Sequence, residues 1–462
     1  MSDKNGNINF GVIVFLFFIA LLIVVYTVNA SFSLLPFVLL LAPIIFIIAF
    51  TNTEFALFLL IFFMLLSPEF DIGGGVRGRA VVLRLDDVFL LVTFLGWLAR
   101  MAVNKEVGFS KVTPINQSIA IYMYIYVIAT LAGVVQGTIR WKESVFYLFK
   151  YFEYFLLFFM VVSTLRDRQQ ARRFVYAMLG VALITSMYAW FLRFTGAERV
   201  TAPFEGKHGE PNTLGGYLVL MMMVATGLLL NVASFRRKIM LAAGMCVAFP
   251  AFLFTLSRSS WFAFVPAYAV LMILSRKGKQ MLLIVSLLFI LLFSFIFPKY
   301  VYDRIQYTFE KQTERTVLGK KISLDESAAA RVDTFKDSIH QWSRSPLLGN
   351  GAGSAGATVD DHYMRVLIEV GIVGSAAFLL LIFSMLRTFL RIIAQERDDS
   401  FAHGISVGFL AGFVGLLVHS FGAATFILIR IMEPFWFLAA IVVMLPELPE
   451  AAEVNSDDRL AR

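Results

Sequence analysis

Met281-Leu-Leu-Ile-Val-Ser-Leu-Leu-Phe-Ile-Leu-Leu-Phe-Ser-Phe-Ile-Phe297 holds no charged side chain, and Pro298 then opens a polar stretch that runs to Asp360. An apolar run of this length approaches the roughly 20 helical residues that cross a ~30 Å hydrocarbon core. Similar runs recur along the chain, among them Val12–Val28 and Leu34–Phe50. Barrel spans would alternate apolar and polar residues in short segments, and these runs do not. Of 462 residues, 59% are hydrophobic and 16% charged, against about 25% charged in a soluble domain. The reading is an all-α, polytopic transmembrane bundle. Spans are expected at 11–28, 32–50, 54–66, 85–103, 115–136, 143–163, 172–194, 211–231, 238–256, 258–274, 280–297, 363–394, 402–420 and 424–445. The third is short, so the count is about 12–14.

The first run is longer than the apolar core of a secretory signal, roughly 7–15 residues, and reads as an uncleaved span although Ala30 and Ser31 follow it. The single cysteine, Cys246, excludes an internal disulfide. Basic residues gather in alternate connections, as in Arg166–Arg173, Arg236–Lys238, Arg276–Lys279 and Arg387–Arg397. Short loops rich in Lys and Arg stay cytoplasmic. That alternation puts both termini inside and the long loop outside. The formal net charge of +8 is therefore a topology signal rather than a nucleic-acid footprint. The expected organisation is helices 1–11 over residues 1–297, a large external loop at 298–362, further spans over 363–446, and a cytoplasmic polar tail at 447–462.

Connections between bundled helices usually take roughly 2–8 residues, so a loop this long calls for a role of its own. Within it, Ser327–Ser345 reads as an amphipathic helix. Val332, Phe335, Ile339 and Trp342 share a stripe, and Pro346 stops the helix. Outside the bilayer such a helix lies on the surface or caps a cavity between spans.

Several residues on the external side have chemistry to offer. Arg258, in Thr255-Leu-Ser-Arg-Ser-Ser-Trp261, interrupts two apolar runs. A lone interfacial arginine ordinarily snorkels to the headgroups. Here Ser257 and Ser259 flank it and a helix begins, so backbone N–H groups can join the guanidinium in binding an anion. A planar, permanently charged fork suits a phosphate. Arg331 starts the amphipathic helix, and two converging arginines would suit a diphosphate leaving group. No Asp-rich motif accompanies them, so no metal and no cofactor is expected. The Gly349–Gly356 segment contains a formal G-x-G-x-x-G, but a dinucleotide site needs a preceding strand in a βαβ unit, and a tight approach to the next helix is the better reading. Asp360-Asp-His-Tyr-Met-Arg365 opens that helix, with Glu369 following. A general base near neutral pH could come from this cluster, which otherwise serves as a helix cap. Two charge pairs, Lys150–Glu153 and Arg430–Glu433, lie at span depth, where ions are either functional or structurally paired.

Four stretches taken in order resemble a family. They are Glu210-Pro-Asn-Thr-Leu-Gly-Gly-Tyr217, Phe254-Thr-Leu-Ser-Arg-Ser-Ser-Trp261, Arg331 through Trp342 to Pro346-Leu-Leu-Gly-Asn-Gly351, and Asp361-His-Tyr-Met-Arg-Val-Leu-Ile-Glu-Val-Gly371. Their order around a large external loop is similar to that of the O-antigen ligase and polysaccharide polymerase superfamily, bacterial inner-membrane glycosyltransferases of the GT-C type. The resemblance covers about residues 200 to 375; earlier residues match in hydropathy alone. It implies an undecaprenyl-diphosphate-linked glycan as substrate, transferred to a sugar hydroxyl on the periplasmic side without nucleotide or metal. Arg258 and Arg331 would hold the diphosphate, and Asn212, Ser257, Ser259, Tyr363 and Glu369 are candidate substrate contacts. Ligases of the family carry a histidine as the proposed base where this chain has Asp360, and His362 lies two residues later. The base is therefore Asp360 or His362.

The expected function is a polymerase of lipid-linked repeat units for exopolysaccharide or O-antigen. Its rivals are a ligase to lipid A core or protein, and a transporter or flippase using the two intramembrane pairs. Transporters tend to show two related halves, and no such repeat is visible. Membrane lipid is the expected surrounding. A chain-length regulator and a flippase are the protein partners such a polymerase would have, and no nucleic acid is expected.

Overall fold

The computed structural model describes residues 34–76, 79–104, 111–205, 209–296, 312–317, 320–356 and 358–449. The expected span at 11–28, the first part of the long loop and most of the tail lie outside the described residues. Fourteen α-helices occupy the described chain: α1 Leu34–Thr51, α2 Thr53–Leu66, α3 Leu85–Asn104, α4 Asn116–Val135, α5 Trp141–Thr164, α6 Arg168–Phe194, α7 Pro211–Asn231, α8 Phe235–Phe254, α9 Arg258–Leu274, α10 Lys279–Ile296, α11 Glu326–Trp342, α12 His362–Gln395, α13 Ser400–His419 and α14 Ile429–Met444. Eight of them, α4–α8 and α12–α14, are long and apolar enough to cross a membrane. Shorter apolar stretches lie in α1, α2, α9 and α10. The protein is a polytopic helical bundle. Two antiparallel hairpins, Glu69–Val76 (β1) with Arg79–Arg84 (β2) and Gln312–Val317 (β3) with Lys320–Asp325 (β4), occupy stretches that read as loop. Strands of six to eight residues with Gly or Lys among them carry little periodic signal.

The centre is built from α7, α13 and α14, which are buried along nearly their whole length. Helices apolar on every side can only be interior. α13 lies close along α7 because glycines line the seam. A Cβ on Gly408 would sit 2.5 Å from Met223 O, and one on Gly404 would sit 2.8 Å from Gly227 O. Small residues permit this approach, and dispersion between the closely packed backbones holds it where lipid offers no hydrophobic drive.

Two features position the candidate site. First, α12 is broken at Gly371, whose φ of 63° and ψ of −163° are not helical. The break frees backbone groups that the preceding loop takes up. Asn350 N donates to Ile368 O at 2.9 Å and Gly351 N to Glu369 O at 2.9 Å, while Ile372 N donates to Pro346 O at 3.0 Å. A Cβ on Gly349 would strike the Glu369 carbonyl at 2.5 Å. The glycine-rich segment is thus a backbone ribbon docked on a helix break.

Second, α11 covers the loop with only the end of its apolar stripe. Trp342 packs partly buried against Ala355, Val359, Met364 and Ile368, whereas Phe335 is 52% and Ile339 37% exposed. Polar groups complete the joint: Gln341 Nε2 donates to Ser354 O at 2.7 Å, and Asn350 Nδ2 donates to Gln341 O at 3.2 Å.

The intramembrane charges are arranged differently from their sequence spacing. Lys150 Nζ lies 2.6 Å from Asp87 Oδ2 and 3.7 Å from Glu153 Oε2, so α3 supplies its nearer partner. Arg430 does not pair with Glu433. It donates to the carbonyls of Leu65, Pro203, Ser67 and Phe204 and to Glu69 at 3.1 Å, with Glu205 at 3.8 Å. Glu433 is fully buried, and neither carboxyl oxygen has a hydrogen-bond partner among the described residues. Spacing of i and i+3 allowed a pair, but the carbonyls at the ends of α2 and in the α6–α7 connection offered the guanidinium more acceptors than one carboxylate.

Candidate active site at the start of α9

The turn between α8 and α9 is tight. Leu256 takes φ 49°, a left-handed conformation uncommon outside glycine. Arg199 Nε holds the Thr255 carbonyl at 3.1 Å, and Val200 N bonds Phe254 O at 3.2 Å, so the α6–α7 connection braces it. Ser257 then caps α9, accepting from Ser260 N at 3.4 Å. Its hydroxyl is the centre of a polar cluster. Ser257 Oγ donates to Asn212 Oδ1 at 2.7 Å and lies 2.7 Å from Ser260 Oγ and 3.2 Å from Ser259 Oγ. Arg258, first residue of α9, remains half-exposed above these buried serines. Arg258 and the amide groups of the first helical turn therefore share the helix start, where the helix dipole is positive.

The glycines of α7 explain how three helices meet here. A Cβ on Gly215 would lie 2.2 Å from Ser260 Oγ, and one on Gly216 would lie 3.0 Å from His419 Cε1. Only hydrogen at these two positions lets the start of α9 and the end of α13 rest against α7.

Arg331 arrives from α11. It is exposed, and its Nη2 would be 3.7 Å from a Cβ on Gly422, which would also meet Ser259 Cβ at 2.7 Å. Arg331 thus approaches the serine cluster from one side while Arg258 heads it from within the chain. The charge of Arg331 also acts on Asp361. Asp361 caps α12, accepting from Met364 N at 3.0 Å. Burial pushes its carboxyl above the ordinary carboxylate range, against the pull of the Met364 and Tyr363 amides and of Arg331. Asp360 is exposed beside it.

His362 is elsewhere. It is completely buried, its ring 5.4 Å from the Phe378 ring and 5.3 Å from that of Phe426, and neither nitrogen has a hydrogen-bond partner among the described residues. Its backbone N bonds Ser420 O at 2.9 Å, which turns the side chain into the aromatic core of the bundle. A base at His362 would therefore have no open path to a substrate hydroxyl in this arrangement. Glu369 is also interior, accepting from Tyr151 OH at 2.7 Å, Tyr126 OH at 3.1 Å and Arg365 Nη1 at 3.2 Å. Arg365 reaches on to the carbonyls of Gly356 and Val359. This network anchors the loop that carries Asp360 and Asp361; it does not face a substrate. Tyr363 is half-buried and donates to Leu417 O at 2.7 Å.

Residues 419–425 went unread in the sequence, yet they touch every part of the site. His419 bonds Ser260, Ser420 O bonds the start of α12, and Gly422 sits between Ser259 and Arg331. The only local sign was a histidine ending an apolar run. Among the described residues no group of three or more His, Cys, Asp or Glu side chains has the arrangement of a metal site.

No curated protein matches the chain. Residues 243–379 match the family model described as O-Antigen ligase, a segment that carries Arg258, Arg331 and the Asp360–Glu369 motif and leaves Asn212 and His419 outside it. Together with the helical bundle, the matched segment supports a likeness of this chain to the O-antigen ligase and polysaccharide polymerase superfamily.

Proposed function

We propose that the protein joins undecaprenyl-diphosphate-linked repeat units into a polysaccharide on the periplasmic face of a bacterial inner membrane. The observation that carries this is that Arg258 begins α9 within the buried serine cluster, Arg331 approaches the same cluster at Ser259 and Gly422, and the charge of Arg331 acts on Asp361. Two guanidinium groups and the first-turn amides of α9 match the charge of a diphosphate leaving group. In the reaction, an acceptor hydroxyl oxygen attacks the anomeric carbon of the lipid-linked glycan. The bond from that carbon to the diphosphate oxygen breaks, and the negative charge that collects on the lipid diphosphate is held by Arg258 and Arg331. The hydroxyl proton passes to a carboxylate. We assign this to Asp361, because it is half-buried, lies under the influence of Arg331 and has its affinity for a proton raised by burial, the direction a base working near neutral pH needs. Asp360, one residue earlier, is the solvent-facing alternative.

A ligase reading shares this site and is favoured by the description of the matched family. The carboxylates at the end of the loop, in place of the histidine that the resemblance gives to ligases, favour the polymerase. Sizing the lipid-linked saccharides in cells lacking the protein separates them. A single repeat unit accumulating outside the membrane supports the polymerase. Long lipid-linked chains that never reach an acceptor support the ligase. Repeat units held only inside would overturn both in favour of transport.

A further inference from the structure

The serine cluster does not end at Ser260. Ser260 Oγ lies 3.1 Å from His419 Nε2, and His419 Nδ1 lies 2.9 Å from Thr425 Oγ1. Both Ser260 and His419 are fully buried. A continuous row therefore runs from Asn212 on α7 through Ser257 and Ser260 on α9 to His419 on α13 and Thr425 before α14.

With the Asn212 amide oxygen toward Ser257, proton counting gives this row one direction. Asn212 Oδ1 can only accept, so the single hydroxyl proton of Ser257 is committed to it. The 2.7 Å contact between Ser257 and Ser260 must then be filled by the proton of Ser260. With that proton used, Ser260 can only accept from the imidazole, so His419 Nε2 carries a hydrogen. The Asn212 backbone also lies within hydrogen-bonding range of this ring and supplies an acceptor there as well. Thr425 then donates to Nδ1, in competition with the Ala423 carbonyl 3.2 Å from the same hydroxyl. With the amide turned over, the row would run the other way and the proton would sit on Nδ1.

The consequence falls at the other end of the row. With its oxygen taken by Ser257, the half-exposed Asn212 has its two N–H donors turned from that contact. We infer that His419 is a positioning residue: through Ser260 and Ser257 it holds the Asn212 amide with its N–H groups toward an anionic substrate oxygen. Without that constraint the amide can turn over and offer a carbonyl oxygen to an anion, which repels it. Asn212 thereby becomes a third diphosphate donor, and the α13–α14 turn becomes part of the site. This rests on the transfer reaction proposed above.

The test uses full-length protein in liposomes with a lipid-diphosphate-linked oligosaccharide as donor, reading kcat and KM separately. A glutamine amide reaches the Nε2 position and can still donate to Ser260, whereas an asparagine amide reaches only the Nδ1 position. His419→Asn is expected to raise the donor KM roughly tenfold, the cost of one misdirected hydrogen bond to a charged group, while His419→Gln recovers most of that loss. Adding His419→Asn to Asn212→Ala should change nothing further, because both act through one amide. Equal loss in the Gln and Asn variants, or full additivity with Asn212→Ala, overturns the inference and reduces His419 to packing. Thermal unfolding midpoints of the two variants should agree within a few degrees. A second readout does not depend on transfer at all. Nitrogen-15 NMR of histidine-labelled protein, with the His419 signal assigned by its loss in His419→Gln, should show the proton on Nε2. A proton on Nδ1 alone overturns the relay even if the enzyme is active. A wild-type protein that transfers nothing while showing Nε2–H would sink the transfer reading and leave the relay standing.

Discussion

At the scale of single residues, the site rests on groups that tolerate no near-equivalent. Arg258 heads α9 over Ser257, Ser259 and Ser260, and a lysine there would keep the charge but not the planar fork. Arg258→Lys is expected to lose roughly 10²-fold in transfer with the protein level unchanged, by analogy with removal of one oxyanion donor; full activity, measured on purified protein, would return Arg258 to a headgroup anchor. Gly215 is as constrained as the arginine, since a methyl group would land 2.2 Å from Ser260 Oγ. Asp361 makes a prediction about pH. A base must be ionised to accept a proton, and burial raises this carboxyl from its ordinary 3.8. Transfer should therefore rise with pH through a single titration displaced above the ordinary carboxylate range, and Asp361→Asn should abolish activity across that range. An unchanged profile in Asp361→Asn would move the role to Asp360.

Among the elements, the break in α12 and the ribbon of residues 346–351 form one unit. Gly371 has φ 63°, and a Cβ there would lie 2.3 Å from Leu347 O. Gly371→Ala must push the ribbon away or straighten the helix. Either movement shifts Asp360 and Asp361, so activity should fall together with the thermal midpoint. A variant that retains both would show that the break is incidental. The charges between α3 and α5 give a second expectation. Lys150 sets one positive charge between Asp87 and Glu153, closer to Asp87. Removing one partner of a buried pair costs about 3–5 kcal/mol, because it leaves uncompensated charge. Lys150→Met should therefore be poorly folded, and Lys150→Met with Asp87→Asn should regain much of the loss, read as detergent-solubilised protein that elutes as a single species. Transport through these groups would instead leave the double variant folded and dead.

For the whole molecule, Arg430 ties α14 to the end of α2 and to the α6–α7 connection, which in turn braces the turn before α9. Glu205 belongs to this clamp. Burial pushes its carboxyl up to about 7, with Arg430 opposing and Glu69 and Glu210 adding to the rise. The folded protein then binds more protons than the unfolded chain between about 4.5 and 7. Its contribution to stability falls as pH rises through that window, by roughly 3 kcal/mol at the extreme. Unfolding midpoints measured across this window should show the decline, and Glu205→Gln should flatten it. A slope unchanged in that variant would assign the titration to another group.

The spans were legible in the sequence because crossing hydrocarbon demands long apolar helices, and their limits in α4–α9 and α13 differ from the sequence reading by only a few residues. The arginines and the acidic motif could be singled out in the sequence, since charge beside an apolar run has few uses. The pairing of those charges was not. His362 reads as a catalytic histidine and is an aromatic-core residue; Arg430 reads as the partner of Glu433 and binds carbonyls far away in the chain. Local spacing sets which groups can meet along one helix, but not which face of that helix is turned inward. That choice was made by packing, through Gly215, Gly216 and the glycine seam of α13, and it brought His419 beside Ser260 across 159 residues of chain. The sequence by itself determined a membrane bundle and marked the arginines proposed for its site. Only the tertiary structure decided which hydroxyls and which histidine lie together beside Arg258, because those contacts depend on close approach between helices that no single helix encodes.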